Sequence, residues 1–184
     1  MAAPRRTKQL TLLLLHSGGR LLLGLKKRGF GIGKLNGFGG KLEPGETLLR
    51  GALREMREES CVEATDAALR GHIVFEFEDA TADRLEVHVF RATAFTGEPR
   101  ETEEMAPAWH DAAAPPFERM WLDDRHWLPL LLSGERFDAH FLFRGHEEIL
   151  RHEVRVLGAG EALPYGEEAV LVSEAQGAIE AGSG

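Results

Sequence analysis

Three glutamates lie on one face of a helix predicted in the first third of the chain. In the segment REMREE, Glu55, Glu58 and Glu59 stand at i, i+3 and i+4, so a helical backbone places them side by side. Carboxylates at this spacing repel one another unless a cation neutralises them. A hard divalent ion such as Mg²⁺ prefers oxygen ligands and keeps positions open for water and phosphate oxygens. The pattern therefore predicts a metal site on this face.

The residues before the glutamates favour this prediction over the alternative, an ordinary amphipathic helix with a solvated acidic face. Pro44 and Gly45 predict a tight turn, because Pro fixes φ and Gly allows a positive φ. Glycines at positions 37, 39 and 40 let the backbone approach a ligand, since no Cβ intervenes. The helix also has an apolar face that can pack on a sheet, formed by Leu49, Ala52, Leu53 and Met56.

The spacing of these residues matches the Nudix box, G-x5-E-x7-R-E-U-x-E-E-x-G-U, in which U is a bulky aliphatic residue. The matching residues are Gly40, Glu46, Arg54, Glu55, Met56, Glu58, Glu59 and Val62. One position departs, because Cys61 stands where the box has its last glycine. A left-handed backbone is favoured there, and it costs a residue with a Cβ about 1–2 kcal/mol. The departure bears on stability and not on the metal ligands.

Five segments outside or overlapping the box carry a closer resemblance. They are LKKRGFGIGKLNGFGGKL (25–42), GHIVFEF (71–77), VHVF (87–90), EEM (103–105) and MWLDDRHWLPLLL (120–132). Together they resemble the eukaryotic MutT homologues, a Nudix branch that hydrolyses oxidised purine nucleoside triphosphates such as 8-oxo-dGTP. The resemblance implies an α/β Nudix fold, an α/β/α sandwich around a mixed β-sheet whose Nudix helix carries the metal site. It also implies Mg²⁺ as cofactor, with Mn²⁺ as a substitute, and a nucleoside monophosphate and pyrophosphate as products.

The residues of the box expected to act in catalysis are Arg54, Glu55, Glu58 and Glu59. Glu58 is expected to deprotonate the attacking water, and Glu59 to be the central metal ligand. Arg54 is expected to orient the carboxylates through charge-assisted hydrogen bonds. The implied metal ligands are the Gly40 carbonyl, Glu55, Glu58, Glu59 and Glu104.

The resemblance also implies a substrate site. Its residues are Thr11, Lys26, Phe30, Asn36, Gly39, Gly40, Phe75, Phe77, Leu85, Met105, Trp121, Asp123, Asp124 and Trp127. Trp121 and Phe77 offer flat surfaces for stacking a purine. The adjacent Asp123 and Asp124 resist double ionisation, so a protonated member can donate to a base carbonyl while an ionised member accepts from a base N–H.

Each of these assignments has a structural alternative. Aromatic residues at such spacings pack in cores, and the cluster that begins at Lys26 can be a solvated basic patch. Asp123 can cap the helix that follows it. Leu122 stands where the branch has Pro, which loosens φ locally and leaves the finer base preference open.

Composition limits the remaining possibilities. The 184 residues suit one Nudix hydrolase domain at 1–156, followed by a Gly/Ala/Glu-rich tail at 157–184 that we expect to be disordered or loosely docked. The tail holds five Glu and no Lys, Arg or Asp, so most of the net charge of −8 lies there. The charge argues against nucleic-acid binding, and the apolar runs are too short for a membrane span. We expect a cytoplasmic monomer acting on a small-molecule nucleotide, with a nuclear or mitochondrial fraction allowed.

Hydrophobic alternation and turn residues predict the remaining elements. Strands are expected at 9–16, 20–27, 71–78, 85–96, near 108–110, at 137–143 and at 149–156. A helix capped by Asp123 or Asp124 should run to about Leu132, with Pro129 ending or kinking it. Within the tail, residues 168–173 can form a short strand.

Two other functions stay open at this stage. The same chemistry could act on ADP-ribose, a dinucleotide or another diphosphate-linked substrate, although the Trp121 and Asp123–Asp124 set would then have no purpose. A non-catalytic module that binds nucleotides is the other possibility. Such modules usually lose box carboxylates, whereas all four are present here, at Glu46, Glu55, Glu58 and Glu59.

Overall fold

The computed structural model describes residues 5–79 and 81–171, which form a mixed sheet between two helices. The strands are β1 (Thr7–Ser17), β2 (Arg20–Lys26), β3 (Leu35–Asn36), β4 (Phe38–Lys41), β5 (Glu63–Ala64), β6 (Ala68–Phe77), β7 (Arg84–Ala92), β8 (Phe95–Thr96), β9 (Met105–Asp111), β10 (Phe137–Arg144) and β11 (Glu148–Val156). The helices are α1 (Leu48–Ser60) and α2 (Asp124–Leu132), with a short 3₁₀ turn at Phe117–Arg119.

The main sheet of the described residues has the order β11-β10-β6-β7-β1-β2-β3, with β4 also paired to β1 and β9 to β2. The pairs β1–β7 and β10–β6 are parallel and the others are antiparallel, so the sheet is mixed. α1 packs on one face, against a cluster that includes Leu13, Leu22 and Phe38. α2 packs on the other face, against a cluster that includes Leu14 and Val89. The predicted α/β/α sandwich is confirmed.

β1 explains why the sheet needs cover on both faces. Successive side chains of a strand point to opposite faces. Leu13 and Leu15 pack on the α1 side, whereas Leu12 and Leu14 pack on the α2 side. A strand that is buried on both faces has a continuous apolar sequence, and β1 contains four consecutive leucines.

α1 has well-defined signals at both ends. The Thr47 hydroxyl oxygen accepts a hydrogen bond from the Arg50 N–H at 3.2 Å. At the other end Cys61 adopts a left-handed conformation (φ 63°), and its N–H donates to the Arg57 carbonyl at 2.9 Å. Cys61 is the only non-glycine residue with positive φ in the described part of the chain. The left-handed backbone expected at this position of the box is therefore confirmed.

The predicted strand at 85–96 is wrong in its last four residues. β7 ends at Ala92, and Phe95–Thr96 forms a separate ribbon with Glu63–Ala64. The cause is Asp66, whose Oδ1 accepts hydrogen bonds from the N–H groups of Thr93 (2.8 Å) and Ala94 (2.9 Å). These bonds turn the backbone away from the main sheet. No sequence pattern near residue 93 signals a contact with a residue so far away in the chain.

α2 runs from Asp124 to Leu132, so its predicted extent is confirmed, but two details differ from the expectation. Pro129 lies inside the helix without ending it, since the helix continues to Leu132. Asp123 occupies the position before the helix, but its side chain makes no capping hydrogen bond, so the capping prediction is wrong. Neither of the two helices in the described residues is long and apolar enough to cross a membrane.

The segment after β11 is described as far as Leu171, and it contacts the domain. Leu157 is buried and its N–H donates to the Arg136 carbonyl at 2.8 Å. Val170 pairs with Thr47 in a single bridge, and Leu171 packs against the α1-side cluster. The rest of the strand predicted at 168–173 lies outside the described residues, as does the tail from 172 to 184. The domain boundary after residue 156 stays a prediction.

Candidate active site

Arg54 lies at the centre of the acidic face of α1. Its Nε donates to Glu46 Oε1 at 2.8 Å, and its Nη1 donates to Glu55 Oε1 at 3.0 Å and to Glu58 Oε2 at 3.2 Å. Its Nη2 donates to the Lys41 carbonyl at 3.0 Å. The hydrogen bond that Arg54 donates to Glu46, followed by the one that it donates to Glu55, raises the pKa of Arg54 above its ordinary value. One guanidinium thus holds three carboxylates of the box.

Glu59 is the most deeply buried of these carboxylates, at 3% exposure. Its Oε1 accepts a hydrogen bond from the Gly39 N–H at 3.1 Å. Burial raises the pKa of Glu59 to about 8, although the charge of nearby Lys26 opposes the shift. Burial also raises the pKa of Glu55. Glu55 and Glu59 are therefore a pair of carboxylates that a cation would help to keep ionised.

The glycines of β4 leave room for this pair. A Cβ on Gly40 would lie 2.7 Å from Glu55 Oε1, and a Cβ on Gly39 would lie 1.9 Å from the Thr11 carbonyl oxygen. Any side chain at either position would push β4 away from β1 or from α1. Buried carboxylate oxygens beside the backbone of Gly39 and Gly40 are the kind of ligands that Mg²⁺ prefers, so these residues fit a divalent ion.

The side chains as placed do not yet form a complete ligand set. In the described residues, no three His, Cys, Asp or Glu side chains converge closely enough to hold a metal. Glu58 is turned to Arg54, and Glu104 Oε1 accepts from Arg28 Nη2 at 3.0 Å. Glu104 also lies 3.6 Å from Lys26 Nζ. Glu58 is 55% exposed, so its side chain is free to rotate towards Glu55 and Glu59.

An apolar surface lies on the opposite, α2 side of the sheet. Phe75 of β6 stands directly across from Leu85 of β7 in the register. The ring of Phe75 stacks on Phe141 with centroids 5.7 Å apart, and Phe77 lies 6.2 Å from Phe143. Phe75, Phe77 and Leu85 therefore lie on neighbouring strands, and their role in substrate binding stays a prediction.

Trp121 stands beside this surface and is surrounded by three residues. Phe30 stacks on it with centroids 5.0 Å apart and an interplanar angle of 20°. Lys34 Nζ lies 5.0 Å from the ring centroid, and His146 approaches edge-on at 6.3 Å. Sequence reasoning missed Lys34 and His146. A single lysine in a loop and a histidine in a hairpin turn carry no spacing signal, and only the folded chain places them at Trp121.

Asp123 and Asp124 are both buried, and each accepts one hydrogen bond from a tryptophan. Trp127 Nε1–H donates to Asp123 Oδ2 at 2.9 Å, and the Trp121 N–H donates to Asp124 Oδ2 at 3.0 Å. Burial raises the pKa of Asp123 to about 6. Burial and the neighbouring Asp123 raise the pKa of Asp124 as well. The pair therefore keeps a proton near neutral pH.

The remaining predicted substrate residues divide between the two faces. Met105 packs against the Phe38 side of the sheet, and Thr11 lies opposite Gly40, so both are on the α1 side. The Thr11 hydroxyl oxygen is buried and has no hydrogen-bond partner. Asn36 lies opposite Gly24, and its Oδ1 accepts from the Gly37 N–H at 2.8 Å.

Trp127 does not line the open surface, because it is buried in the α2-side core. It stacks on Phe137 with centroids 5.6 Å apart. Its contact with the site is through its indole N–H, which reaches Asp123.

The loop between β2 and β3 connects the two faces. Lys26 N–H donates to the Lys34 carbonyl at 2.9 Å, which pairs the two ends of the loop. The Lys26 side chain lies near Glu104 on the metal side, whereas the Lys34 side chain lies over Trp121. One short loop thus contacts both the acidic helix and the aromatic surface.

These features define a class of protein. The NUDIX domain family matches residues 5–131, which is more than half of the chain, and the protein belongs to that family. Nudix hydrolases generally require a divalent metal ion, which agrees with the acidic face of α1.

Two curated relatives are similar over most of their length. The chain is 48% identical over 148 residues to the oxidized purine nucleoside triphosphate hydrolase of Danio rerio, covering 80% of this chain and 94% of that protein. It is 45% identical over 145 residues to the protein of the same name from Mus musculus, covering 79% and 92%. The family membership and the MutT-homologue branch inferred from the sequence are confirmed.

Solved structures confirm the fold. A MutT protein from Bacillus halodurans superposes with a TM-score of 0.72 at 23% identity, covering 80% of this chain and 97% of that chain. A MutT NUDIX hydrolase from Burkholderia pseudomallei superposes with a TM-score of 0.55 at 27% identity, covering 60% and 87%.

Proposed function

We propose that the protein hydrolyses oxidised purine nucleoside triphosphates, of the 8-oxo-dGTP and 2-hydroxy-dATP type, to the nucleoside monophosphate and pyrophosphate. Such a reaction removes damaged precursors from the nucleotide pool. The names of the two curated relatives support the substrate class. The protein is expected to act as a monomer in the cytoplasm.

The buried pair Asp123–Asp124 carries this proposal. The pair keeps a proton near neutral pH because both carboxylates are desolvated and adjacent. The protonated member donates a hydrogen bond to a base carbonyl, and the ionised member accepts one from a base N–H. An oxidised purine edge offers both kinds of group, and Trp121 beside the pair offers a surface for stacking the ring.

The phosphates would lie at the acidic face of α1. Mg²⁺ held by the Gly40 carbonyl, Glu55, Glu58, Glu59 and Glu104 would neutralise the polyphosphate and lower the pKa of a bound water. Mn²⁺ accepts the same oxygen ligands and is expected to substitute.

The side chains around this face have separate tasks. Glu58, the most exposed carboxylate of the three on α1, turns from Arg54 to accept the proton of the attacking water. Arg54 keeps Glu46 and Glu55 in place during that movement. It binds Glu46 through Nε, which does not contact Glu58, and it binds Glu55 through Nη1 at a shorter distance than Glu58. Lys26, close to Glu59 and Glu104, is placed to meet a phosphate oxygen.

A turnover panel tests the proposal. Purified protein is assayed with 8-oxo-dGTP, 2-hydroxy-dATP, dGTP, ADP-ribose and a dinucleoside polyphosphate, with Mg²⁺ and with excess chelator. The expected result is Mg²⁺-dependent release of pyrophosphate, with the highest kcat/KM on an oxidised purine. Preference for ADP-ribose or the dinucleotide would assign a different substrate class. Tight nucleotide binding without turnover would identify a non-catalytic module.

A further inference from the structure

The segment after β11, residues 157–171, is fixed to the domain at its start. We call it the C-terminal segment. The Leu157 N–H donates to the Arg136 carbonyl at 2.8 Å, and Arg136 Nη2 donates to the Gly158 carbonyl at 2.7 Å. Glu161 Oε2 then accepts from the Gly158 N–H at 2.7 Å, which turns the chain. The segment lies beyond residues 5–131, which match the NUDIX domain family.

The C-terminal segment next crosses the part of the sheet that α1 leaves open. The Tyr165 ring stands edge-on to His88 at 5.5 Å and to His72 at 6.3 Å. His88 and His72 face each other across β7 and β6, and His88 Nε2 lies 2.7 Å from Gln9 Oε1. Tyr165 therefore covers a buried polar strip of the sheet beside α1.

The segment ends at the first turn of α1. The Ala169 carbonyl accepts from the Leu48 N–H, and the Glu167 carbonyl accepts from the Leu49 N–H, both at 3.0 Å. The Glu167 side chain reaches in the other direction, because its Oε1 accepts from the Leu69 N–H of β6 at 2.7 Å. The first N–H groups of a helix have no partners within the helix. Here the C-terminal segment supplies the acceptors for two of these N–H groups, and the Thr47 hydroxyl oxygen accepts from the next, that of Arg50.

These contacts are coupled to the acidic face. Ala169 and Leu171 pack against the cluster that contains Leu48, Ala52 and Met56 of α1. Arg54 and Glu55 follow less than two helical turns after this anchored end, and Glu59 follows about one turn later. A first turn that frays would move the carboxylates relative to Gly39 and Gly40, which they contact at short distance.

We propose that the C-terminal segment is a positioning element for α1, and that Glu167 is its key positioning residue. It holds the start of the helix against β6 so that the carboxylates stay aligned with β4. The proposal rests on the proposed function only in taking α1 as the metal-binding helix.

Four altered chains test this, two of them shortened and two substituted. One ends after Val156, one ends after Leu171 as a matched control, and one carries Glu167→Ala. Glu168→Ala is the control for Glu167→Ala, since Glu168 is exposed and its substitution removes the same charge. The readouts are amide hydrogen exchange at Leu48, Leu49 and Leu69, Mn²⁺ affinity by titration, and kcat and KM.

Ending the chain after Val156 is expected to speed exchange at residues 48 and 49 more than in the central strands, and to weaken Mn²⁺ binding. Glu167→Ala is expected to speed exchange at Leu69 and Leu49 and to weaken Mn²⁺ binding about fivefold, the effect of one hydrogen bond. kcat should fall more than KM rises. Both controls should behave like the parent chain.

Unchanged exchange at residues 48 and 49, or unchanged Mn²⁺ affinity, would overturn the proposal. An equal rise in exchange over all strands would also overturn it, because the segment would then act only on global stability. If the shortened chain does not fold, the Glu167→Ala and Glu168→Ala pair decides. Exchange and Mn²⁺ binding need no nucleotide, so failure of the substrate proposal is seen separately, as absent turnover in the parent chain.

Discussion

Asp123 and Trp127 are joined by a hydrogen bond of 2.9 Å within one turn of α2. A donor to a carboxylate favours its ionised form, so this bond counteracts part of the pKa increase that burial causes in Asp123. Asp124 has the same burial, and the charge of Asp123 raises its pKa further. Trp127 thus favours Asp123 as the ionised member of the pair and Asp124 as the protonated one.

Asp123→Asn should reduce selectivity for oxidised purines. The substitution fixes a neutral group where the ionised carboxylate accepts a base N–H. Losing one charge-assisted hydrogen bond costs about 1.5–3 kcal/mol, roughly ten- to a hundredfold in KM for 8-oxo-dGTP. Activity on ordinary dGTP should fall much less, and steady-state kinetics on both nucleotides measure the difference.

The pH dependence offers a control for this prediction. The pair must hold its proton, so kcat/KM of the parent protein on 8-oxo-dGTP should fall as rising pH removes it. Asp124→Asn keeps a neutral donor at the second position and should make that fall smaller. If either variant loses activity equally on every nucleotide, the pair has no role in base selection.

Glu59→Gln should reduce turnover by orders of magnitude and leave the fold intact. Burial raises the pKa of Glu59 to about 8 without metal, so ionising this carboxylate costs stability as the pH rises from about 4.5 through 8. A neutral Gln avoids that cost, and the metal-free variant should be at least as stable as the parent at pH 8. Kinetics and urea unfolding measure the two effects.

Glu63→Gln is the matched control, because Glu63 is an exposed glutamate that contacts only Arg57, at 3.6 Å, among the described ion pairs. It should keep full turnover. Mg²⁺ binding to the parent should also release protons at neutral pH, since burial raises the pKa of both Glu55 and Glu59 and the metal binds their ionised forms. Full activity in excess chelator would contradict the metal assignment.

Water is expected to attack the β-phosphorus, as the resemblance to MutT homologues implies. In ¹⁸O-labelled water the label should therefore enter pyrophosphate and not the nucleoside monophosphate. Mass spectrometry of the two products reads this directly. Label in the monophosphate would show attack at the α-phosphorus, and release of inorganic phosphate would indicate a different reaction.

His88 should make the protein sensitive to mild acid. Burial, followed by the charge of His72, lowers the pKa of His88 to about 4. In the unfolded chain the His88 imidazole binds a proton near pH 6.5, whereas in the folded chain it does not. The free energy of unfolding therefore falls as the pH drops from about 6.5 to 4. The loss should approach about 3 kcal/mol.

His88→Gln removes the titrating group and should flatten this decline in urea unfolding measured from pH 7.5 to 4.5. His146→Gln is the control, because His146 is exposed. Equal slopes for the parent and the His88 variant would assign the acid sensitivity to other groups.

Cys61→Gly should stabilise the protein. The left-handed backbone at φ 63° costs a residue with a Cβ about 1–2 kcal/mol, and the greater freedom of Gly in the unfolded chain offsets part of the gain. The net increase in the free energy of unfolding should be about 1 kcal/mol. Cys61→Ala separates the thiol from the backbone, since Ala keeps the Cβ and should show no such gain. Denaturant titration compares the three chains.

Local patterns predicted the parts of the molecule that local residues determine. The acidic face of α1 and its left-handed end follow from spacings within one helix, and most long strands follow from alternation. The early end of β7 depends on Asp66, which lies on another part of the chain. Lys34 and His146 meet at Trp121 only after the sheet has formed.

The division of the predicted substrate residues between two faces also required the fold. The side chains of Thr11 and Met105 lie on the α1 side of the sheet, whereas that of Phe75 lies on the α2 side. Strand register decides the face, and residue type does not. Trp127 was expected to contact the substrate. Its ring is buried in the core instead, and its indole N–H donates a hydrogen bond to Asp123.

The parallel pairing of β1 with β7 governs the order in which the chain can fold during synthesis. β1 leaves the ribosome early, yet Thr7 pairs with Arg84 and Leu15 with Ala92, so one of its partners is made much later. Until then its run of leucines has an unprotected edge, which invites association with other chains. Contacts so distant in sequence also slow folding. Rapid synthesis at high concentration is therefore expected to increase aggregation through β1.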